Sequence, residues 1–296
     1  MDSSRYGQRR EILTRFCDLY ADVDGLRLRY WDVGDGSPVL LLHGLGCSVE
    51  WWFPNVDVLA THHRVLALDL PGFGRSDKKW RGTRTFGPRF DADLVTVFLR
   101  QLGATPAALI GNSFGGLVAL FTALNHPETV ERLVLVDSAG LGREIAPSLR
   151  LLSLPFLGEV ALAMLSPKRW QAAAIKGAVS YPQVQPPEFG QRHAELLALP
   201  GTKAAFLRAL RTEANLSGQL RPNLLLEQLP RITAPTMIFW GKNDPLLPVS
   251  HAYAAQKALP GAQLHVFDSC RHCPQLERPD QFNAMVLAFL AGRRSE

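Results

Sequence analysis

The sequence predicts an α/β fold in which a mostly parallel β-sheet is covered by helices on both faces and carries one helical insertion. Short apolar runs alternate with helical periodicity along residues 39–136 and again along residues 235–290. Within the first stretch, residues 107–125 are typical of a buried strand, a very tight turn and a buried helix. Residues 142–231 have the pattern of amphipathic helices instead. Strands alternating with helices indicate a parallel sheet buried on both sides.

The first half of the chain follows a polar N-terminal arm. Two short alternating runs at residues 19–23 and 26–33 are joined by Asp24-Gly25, a dipeptide typical of a β-hairpin. Continuous apolar runs, typical of buried strands, then alternate with helical periodicity. The predicted strands lie at residues 39–42, 64–68, 107–110 and 133–136, and the predicted helices at residues 50–60, 90–102 and 117–125.

The second half begins with the insertion. Helices are predicted at residues 147–165 and 202–215, with a proline-rich break at 181–187. The alternation then resumes with strands at residues 235–240 and 263–267 and helices at residues 250–259 and 279–290. We therefore expect residues 1–141 and 232–296 to form one α/β core and residues 142–231 to form a separate helical segment.

Length and composition are those of an ordinary globular protein with one large core. Of 296 residues, 47% are apolar and 20% are charged, and the net charge is only +5. No basic stripe interleaves with aromatic residues, so nucleic acid is not an expected partner. The first 20 residues contain no apolar leader, and the apolar stretch 149–165 is interrupted by Arg, Pro, Gly and Glu. We expect no membrane span.

The four cysteines are too few and too scattered for a disulfide framework, which fits a cytoplasmic location. Cys270 and Cys273 form a C-x-x-C pair around His272. A redox role would require a thioredoxin-like strand and helix beside the pair, and zinc would require a second ligand pair. Neither is visible, so we expect no metal and no cofactor.

The turn at residues 111–115 reads Gly-Asn-Ser-Phe-Gly. A serine at the apex of such a turn is held in a strained backbone conformation with its hydroxyl exposed. The strand and helix crowd the positions two before and two after it, so both must be glycine. This is the nucleophile elbow, Gly-x-Ser-x-Gly between strand and helix, and it makes Ser113 a candidate nucleophile.

An activated serine needs a base, and the base needs an orienting carboxylate. Catalytic groups of open α/β sheets gather at the carboxyl ends of strands, and two candidates follow predicted strands there. Asp244 comes four residues after Trp240, and His272 five residues after Phe267. Asp137, directly after the strand at 133–136, is a rival acid.

The other histidines are weaker candidates for the base. Five fall in predicted helices or at their ends, where a solvated or capping role is usual, namely residues 62, 63, 126, 193 and 251. His265 lies within a strand. His43 precedes the glycine-rich loop His-Gly-Leu-Gly, and we expect it to brace that loop by hydrogen bonds.

A tetrahedral intermediate also needs hydrogen-bond donors aimed at its oxygen. The backbone N–H of Phe114 follows the nucleophile at the start of a helix, where amide groups are free and the helix dipole favours negative charge. The N–H of Leu45, in the loop after the third strand, is the second candidate.

These motifs together resemble the α/β-hydrolase fold superfamily, of the kind that carries a helical cap. The resemblance rests on His43-Gly44-Leu45-Gly46, the run Asp-Leu-Pro-Gly-Phe-Gly-Arg-Ser at 69–76, the elbow, Trp-Gly-Lys-Asn-Asp at 240–244, and His272. It implies an eight-stranded sheet and a lid formed by residues 142–231. Relatives with aspartate at the elbow are disfavoured because position 113 is serine. Arg271 departs from the family, which usually has glycine there.

Within this superfamily, the elbow and the Cys-x-His-x-x-Gln pattern at 270–275 are similar to hydrolases of meta-cleavage products, which break carbon–carbon bonds in dienoic acids. Their usual tryptophan after the histidine is Cys273 here. We therefore expect a carboxylesterase for short-to-medium acyl chains, with a carbon–carbon hydrolase as the alternative. A non-catalytic binding protein or a lyase on the same fold is a further alternative.

The expected partner is a small-molecule ester, handled by a monomer or homodimer. The substrate pocket is expected to include residues from the glycine-rich loop, the elbow and the cap, namely Gly44, Asn112, Trp52, Phe156 and Met164.

Overall fold

The computed structural model describes residues 16–78, 87–180 and 185–292. The predicted polar arm at the N-terminus and part of the proline-rich break at 181–187 lie outside the described residues.

The predicted sheet is confirmed: eight strands form one mostly parallel sheet. These strands are β1 (Leu19–Val23), β2 (Leu26–Val33), β3 (Pro38–Leu42), β4 (Arg64–Leu68), β5 (Ala107–Asn112), β6 (Val130–Val136), β9 (Thr236–Gly241) and β10 (Gln263–Phe267). Their order across the sheet is β1-β2-β4-β3-β5-β6-β9-β10. β2 runs antiparallel to both of its neighbours, β1 and β4. Every pair of adjacent strands from β4 across to β10 is parallel.

Helices cover both faces of the sheet. The helices of the core are α1 (Phe53–Leu59), α2 (Pro88–Gln101), α3 (Phe114–Asn125), α9 (Ser250–Ala258), α10 (Pro274–Glu277) and α11 (Pro279–Leu290). Alternate residues of β3 pack on opposite sides: Leu40 and Leu42 join one apolar cluster, Val39 and Leu41 the other. Both faces are therefore buried, which explains why the central strands are continuously apolar instead of alternating.

Between β6 and β9 the chain forms mostly helices. They are α4 (Pro147–Leu152), α5 (Leu157–Ala163), α6 (Pro167–Ala178), α7 (Pro187–Leu197) and α8 (Thr202–Glu213). We call residues 142–231 the cap; its division from the core as a separate domain stays a prediction.

The structure corrects two expectations for the cap. The single helix predicted at residues 147–165 is two helices, because the chain turns at Pro155 and Phe156, where φ is +65°. A short hairpin of β7 (Ala214–Asn215) and β8 (Gly218–Gln219) also follows α8, where only helix was expected. Over the described ranges, no helix is long and apolar enough to cross a membrane.

Candidate active site

Ser113 lies between β5 and α3, with φ +56° and ψ −117°. The two flanking glycines leave no space for a side chain. A Cβ on Gly111 would lie 2.3 Å from the carbonyl oxygen of Gly115, and one on Gly115 would lie 2.3 Å from the carbonyl oxygen of Leu42. The backbone at Ser113 is held in the left-handed half of φ space by this close strand–helix packing, as an elbow requires.

His272 and Asp244 form a hydrogen-bonded pair at the carboxyl ends of β10 and β9. Nδ1 of His272 lies 2.7 Å from Oδ2 of Asp244. The other carboxylate oxygen accepts the N–H groups of Leu246 at 2.7 Å and Leu247 at 3.2 Å. With Asp244 ionised, Nδ1 carries the proton and Nε2 is left with a lone pair that can accept one.

Ser113 and His272 line the same cavity. Among the described residues no hydrogen bond joins their side chains. In serine hydrolases this bond often tightens only when substrate is bound. The arrangement therefore brings the predicted nucleophile and the predicted base to one surface, with the acid behind the base.

Asp137, the rival acid, is close to this pair but bonded elsewhere. Its Oδ1 accepts the N–H of Gly241 at 2.9 Å, and its other oxygen has no partner among the described residues. The side chain is fully buried. Burial, reinforced by the nearby Asp244 carboxylate, raises the pKa of Asp137 well above its usual value. Burial therefore disfavours the ionised form of Asp137, which makes it a poorer charged partner for His272 than Asp244.

The loop that carries Leu45 approaches the elbow closely. A Cβ on Gly44 would lie 3.3 Å from both the side chain of Asn112 and the Cβ of Ser113. Neither the N–H of Leu45 nor that of Phe114 donates a hydrogen bond to another described group. Both donors are therefore available beside the nucleophile.

His43 braces this loop, as expected. Its Nδ1 lies 2.7 Å from the carbonyl oxygen of Gly44, and its Nε2 accepts the N–H of Leu70 at 3.0 Å. These two partners require the neutral tautomer with the proton on Nδ1. Burial lowers the pKa of His43, which favours the same neutral form.

A buried charge network, which was not expected from the sequence, lies beneath the loop. The guanidinium of Arg29 is bonded to Glu50 at 2.8 Å and to Asp69 at 3.0 Å, all with fully buried side chains. Asp69 in turn accepts the N–H groups of Val49 at 2.8 Å and Arg75 at 2.7 Å. The network joins β2, the end of β4 and the chain after the glycine-rich loop into one rigid support.

Asn112, expected to contact substrate, lines the cavity but uses its amide group structurally. Its Nδ2 donates to the carbonyl oxygens of Val136 and His272, each at 3.1 Å. The residue before the nucleophile thus fixes the backbone of the candidate base.

The cap also holds the His272 loop. The N–H of His272 donates to the carbonyl oxygen of Ala178 at the end of α6, at 3.0 Å. Glu277 accepts the N–H of Arg271 on one oxygen and the N–H of Ser180 on the other, each at 2.7 Å. The guanidinium of Arg271 donates to the carbonyl oxygen of Lys176 at 2.6 Å. The residue that departs from the family pattern therefore anchors the loop to the cap.

The cavity has a volume of about 300 Å³, and Gly44 and Asn112 are among its lining residues. Three other pocket expectations are wrong. Trp52 is fully buried beneath the site, with its ring 6.4 Å from that of Phe282, because the 3₁₀ turn there directs Trp51 into the cavity instead. Phe156 and Met164 are 85% and 77% exposed on the outside of the cap.

The break in the predicted cap helix explains the last two errors. α4, α5 and the turn after α5 present a different set of apolar side chains to the cavity, namely Leu149, Leu152, Leu162 and Leu165. Sequence reasoning also missed Trp51, His193 and Glu213, which line the cavity from elements distant in the chain. A larger, more open groove of about 860 Å³ lies between α6 and α7 and does not include Ser113.

Within the part of the chain that the structure describes, one group of side chains has the spacing of a metal site: Asp137, Asp244 and His272. The hydrogen bond between His272 and Asp244 already explains why these side chains lie close together. All four cysteines are free thiols, and burial raises the pKa of Cys270 and Cys273 well above its usual range, which makes them poor thiolate ligands.

Comparison with known proteins agrees with this architecture. Residues 37–279 match the sequence profile of the family described as alpha/beta hydrolase fold. The chain is 32% identical to an uncharacterised protein of Mycobacterium tuberculosis, over 92% of this chain and 80% of that one. It is 30% identical to the 2-hydroxy-6-oxononadienedioate/2-hydroxy-6-oxononatrienedioate hydrolase of Comamonas testosteroni, over 91% of this chain and 93% of the relative. The crystal structure of a bacterial membrane phospholipase A superposes with a TM-score of 0.75 and 26% identity, covering 98% of this chain and 91% of that one.

The chain therefore belongs to the α/β-hydrolase fold family, and it is a hydrolase.

Proposed function

We propose that this hydrolase cleaves carboxylic esters through an acyl-enzyme formed on Ser113. The observation that supports this most directly is the 2.7 Å bond between His272 and Asp244 in the cavity that also contains Ser113 at its elbow. That is the order and geometry of nucleophile, base and orienting acid on which serine hydrolases depend.

In the proposed reaction, Oγ of Ser113 attacks the ester carbonyl while Nε2 of His272 takes its proton. Asp244 holds the imidazole in the productive tautomer and stabilises its positive charge. The N–H groups of Leu45 and Phe114 donate to the oxyanion. His272 then gives its proton to the leaving alcohol, and a water molecule activated by the same imidazole releases the acid.

Cavity volume and lining favour short-to-medium acyl chains. A mostly apolar cavity of about 300 Å³ lies at the lower end of the usual range for ligand pockets. Each buried methylene contributes about 0.8 kcal/mol, so kcat/KM should rise with chain length until the cavity is full. We expect the optimum at about four to eight carbons.

A carbon–carbon hydrolase of dienoic acids is the second candidate, supported by the relative from Comamonas testosteroni. The substrate in that relative's name is a dicarboxylate. Over the described ranges no Lys or Arg lines the cavity here, so a carboxylate would enter without a counter-ion. The lack of a counter-ion for a carboxylate favours an ester substrate over a dienoic acid.

The test is a panel of p-nitrophenyl esters from acetate to palmitate, run beside one dienoic ring-cleavage product, with wild type and Ser113→Ala. An optimum at short-to-medium chains that disappears in the variant supports the proposal. A dienoic acid that exceeds every ester would move the protein to the carbon–carbon hydrolases, and rates rising to palmitate would contradict the acyl range.

We also propose that the enzyme works in the cytoplasm as a monomer or homodimer. Four free thiols are compatible with a reducing compartment. Cell fractionation and light scattering on the purified protein test the two statements separately.

A further inference from the structure

Glu213, at the last turn of α8, is a buried carboxyl group that faces the cavity. The residue is 2% exposed and lines the same surface as Ser113 and His272. Its backbone carbonyl accepts the N–H of Leu220 at 2.8 Å, so the chain is fixed at this point. Its carboxyl oxygens make no hydrogen bond or ion pair with any described residue.

The other titratable groups of the cavity cannot neutralise this carboxylate. Burial lowers the pKa of His193 to about 4, so its imidazole is neutral at physiological pH. Burial raises the pKa of Cys47 and Cys273, which stay protonated. The charge of His272 lowers the pKa of Glu213 but does not offset the effect of burial, and its Nδ1 is bonded to Asp244.

A buried carboxyl group with no partner among the described residues is costly, since it loses much of its hydration without a hydrogen bond in exchange. Burial raises the pKa of Glu213 to about 7, so both protonation states are accessible near neutral pH. A ligand that donates a hydrogen bond would supply the missing partner. A ligand carboxylate would instead meet either a like charge or the cost of keeping Glu213 protonated.

We propose that Glu213 binds a hydrogen-bond donor of the substrate, a hydroxyl or ammonium group close to the scissile ester, and excludes substrates with a carboxylate there. This inference rests on the proposed ester hydrolysis and narrows its substrate class. A site with an unpaired buried acceptor discriminates strongly between a substrate that has the donor and an analogue that lacks it.

The test uses matched esters on both sides of the scissile bond. On the acyl side these are p-nitrophenyl butyrate, 3-hydroxybutyrate and hemisuccinate; on the alcohol side they are propyl butyrate and 2-hydroxyethyl butyrate. In wild type we expect at least one hydroxylated ester to exceed its matched neutral ester about tenfold in kcat/KM, with hemisuccinate below butyrate.

Variants at Glu213 separate charge from hydrogen bonding. Glu213→Leu should abolish both preferences, whereas Glu213→Gln should accept hemisuccinate better and keep part of the hydroxyl preference through its amide oxygen. Glu227→Leu, the loss of an exposed cap glutamate, is the matched control and should change neither ratio.

Hydrolysis of p-nitrophenyl butyrate by wild type but not by Ser113→Ala reports the proposed function independently. Where ester hydrolysis is confirmed in this way, two results would show that the inference about Glu213 is wrong. One is that neither matched pair of esters differs in kcat/KM with wild type. The other is that the preferences persist in Glu213→Leu.

A second inference comes from the outside of the cap. Five large apolar side chains of one short segment are between 46% and 85% exposed: Leu151, Phe156, Leu157, Val160 and Met164. We call this set the outer cap face. Five large exposed apolar side chains within fourteen residues are unusual on a globular protein and indicate an interaction site.

Several basic side chains follow the outer cap face in the chain or contact the turn after it. Lys168 and Arg169 are exposed just after α5, and Nζ of Lys203 donates to the carbonyl oxygen of Leu165 at 2.9 Å. The acid within the face, Glu159, is paired with Arg211 through two hydrogen bonds of 2.6 and 2.8 Å. Apolar side chains are thus presented beside basic groups.

The charge of the whole chain is concentrated in the cap. Residues 142–231 contain eleven Lys and Arg against six Asp and Glu, a surplus of five that equals the net charge of the chain, +5. The core is therefore neutral overall. An apolar surface within a basic domain is complementary to an anionic lipid surface.

We infer that the outer cap face docks on an anionic lipid surface. The opposite side of the same two helices lines the cavity through Leu149, Leu152, Leu162 and Leu165. Docking in this way would bring amphiphilic substrates beside the helices that form the cavity wall.

Flotation of the full chain with phosphatidylcholine vesicles, with and without phosphatidylglycerol, tests this inference. We expect binding to the anionic vesicles that weakens at raised salt. The double variant Phe156→Ser, Met164→Ser should bind at least about tenfold less, because two large apolar side chains no longer enter the bilayer interface. Tyr253→Ser, which removes an exposed aromatic ring from α9, is the matched control and should bind as wild type does.

Wild type that does not bind anionic vesicles would overturn the inference, and so would equal binding by the double variant. A stable dimer in solution that the double variant dissociates would assign the outer cap face to a second copy of the chain.

Discussion

At the scale of single residues, two buried carboxyl groups lie close to one imidazole and differ in their hydrogen bonds. Asp244 accepts two backbone N–H groups, and its second oxygen lies 2.7 Å from Nδ1 of His272. Asp137 accepts one N–H, and burial raises its pKa. The environment thus gives the two acids different hydrogen-bond partners, and only Asp244 is bonded to the imidazole.

Asp244→Asn should therefore lower kcat by about 10⁴, since the amide would favour the wrong tautomer of His272. Asp137→Asn should lower kcat less than about tenfold, because an amide resembles the protonated acid in shape and charge. Steady-state kinetics with p-nitrophenyl butyrate measure kcat of the two variants and of wild type. Equal losses in the two variants would mean that the acids act as one unit.

Glu213 also predicts a pH dependence of stability. Its pKa is raised by burial from 4.5 to about 7, so the folded state holds this proton more tightly than the unfolded chain does. The free energy of unfolding should therefore fall as pH rises from about 4.5 to 7, by roughly 3 kcal/mol at most. Urea denaturation at pH 5 and pH 8 measures the loss.

Glu213→Gln should lack this loss. The comparison with wild type is needed because His193, whose pKa is lowered to about 4, changes stability in the opposite direction as pH falls. Identical pH dependence in the two proteins would contradict the assigned burial of Glu213.

Single residues were predictable where local pattern alone determines their position. Ser113, Asp244 and His272 could be selected because each lies within five residues of the end of an apolar strand, and parallel strands end at one edge of the sheet. Trp51 and Trp52 could not be separated, since neighbouring positions of a 3₁₀ turn point in different directions. The burial of Glu213 could not be predicted from the sequence, because it depends on how α8 packs over the sheet.

At the scale of elements, α3 depends on close contact with the sheet. Gly115 of α3 and Gly177 of α6 both occupy helices, so alanine should favour either helix by about 1 kcal/mol on intrinsic propensity. Gly177 has nothing within 4 Å of an added Cβ, whereas Gly115 has the carbonyl oxygen of Leu42 at 2.3 Å. Gly115→Ala should lower Tm, with a loss of about 1–3 kcal/mol, and Gly177→Ala should leave it unchanged or raise it.

Thermal unfolding of the two variants checks this difference, which propensity alone does not predict. A Tm for Gly115→Ala at or above that of wild type would show that the strand and the helix can separate without cost.

The loop that carries His272 depends on its tie to α6. Glu277→Ala removes the acceptor for the N–H groups of Arg271 and Ser180 and should cost about 1–3 kcal/mol of stability. Since the same change loosens the candidate base, kcat should fall while labelling of Ser113 by small reactive probes persists. Unchanged kcat would mean that the remaining bonds, from Asn112 and Ala178, hold the loop alone.

The elements of the core were predictable because buried strands bounded by turn residues have a clear pattern. The helices and strands of the cap were less predictable. Residues 147–165 are apolar enough to suggest one helix, but Pro155 interrupts the hydrogen-bonded turn and two helices form. The hairpin of β7 and β8 has only two residues in each strand, too few to produce an alternating pattern.

At the scale of the whole molecule, a neutral α/β core supports the reacting groups and a basic helical cap closes the cavity above them. The core determines where Ser113, His272 and Asp244 meet, and the cap supplies most of the apolar wall and the buried carboxyl of Glu213. This division explains why the family and its candidate triad could be predicted from motifs, while the cavity could not. The cavity arises from helices that are distant in sequence and packed only in the folded chain.

The central claim is that Ser113 is the nucleophile of a serine hydrolase. The most direct test is to label the wild-type protein with a fluorophosphonate probe and identify the modified peptide by mass spectrometry. We predict one adduct, on Ser113, formed in step with loss of p-nitrophenyl butyrate hydrolysis, and no adduct in Ser113→Ala that retains the wild-type fold. Labelling at another residue, or esterase activity of Ser113→Ala within tenfold of wild type, would contradict it.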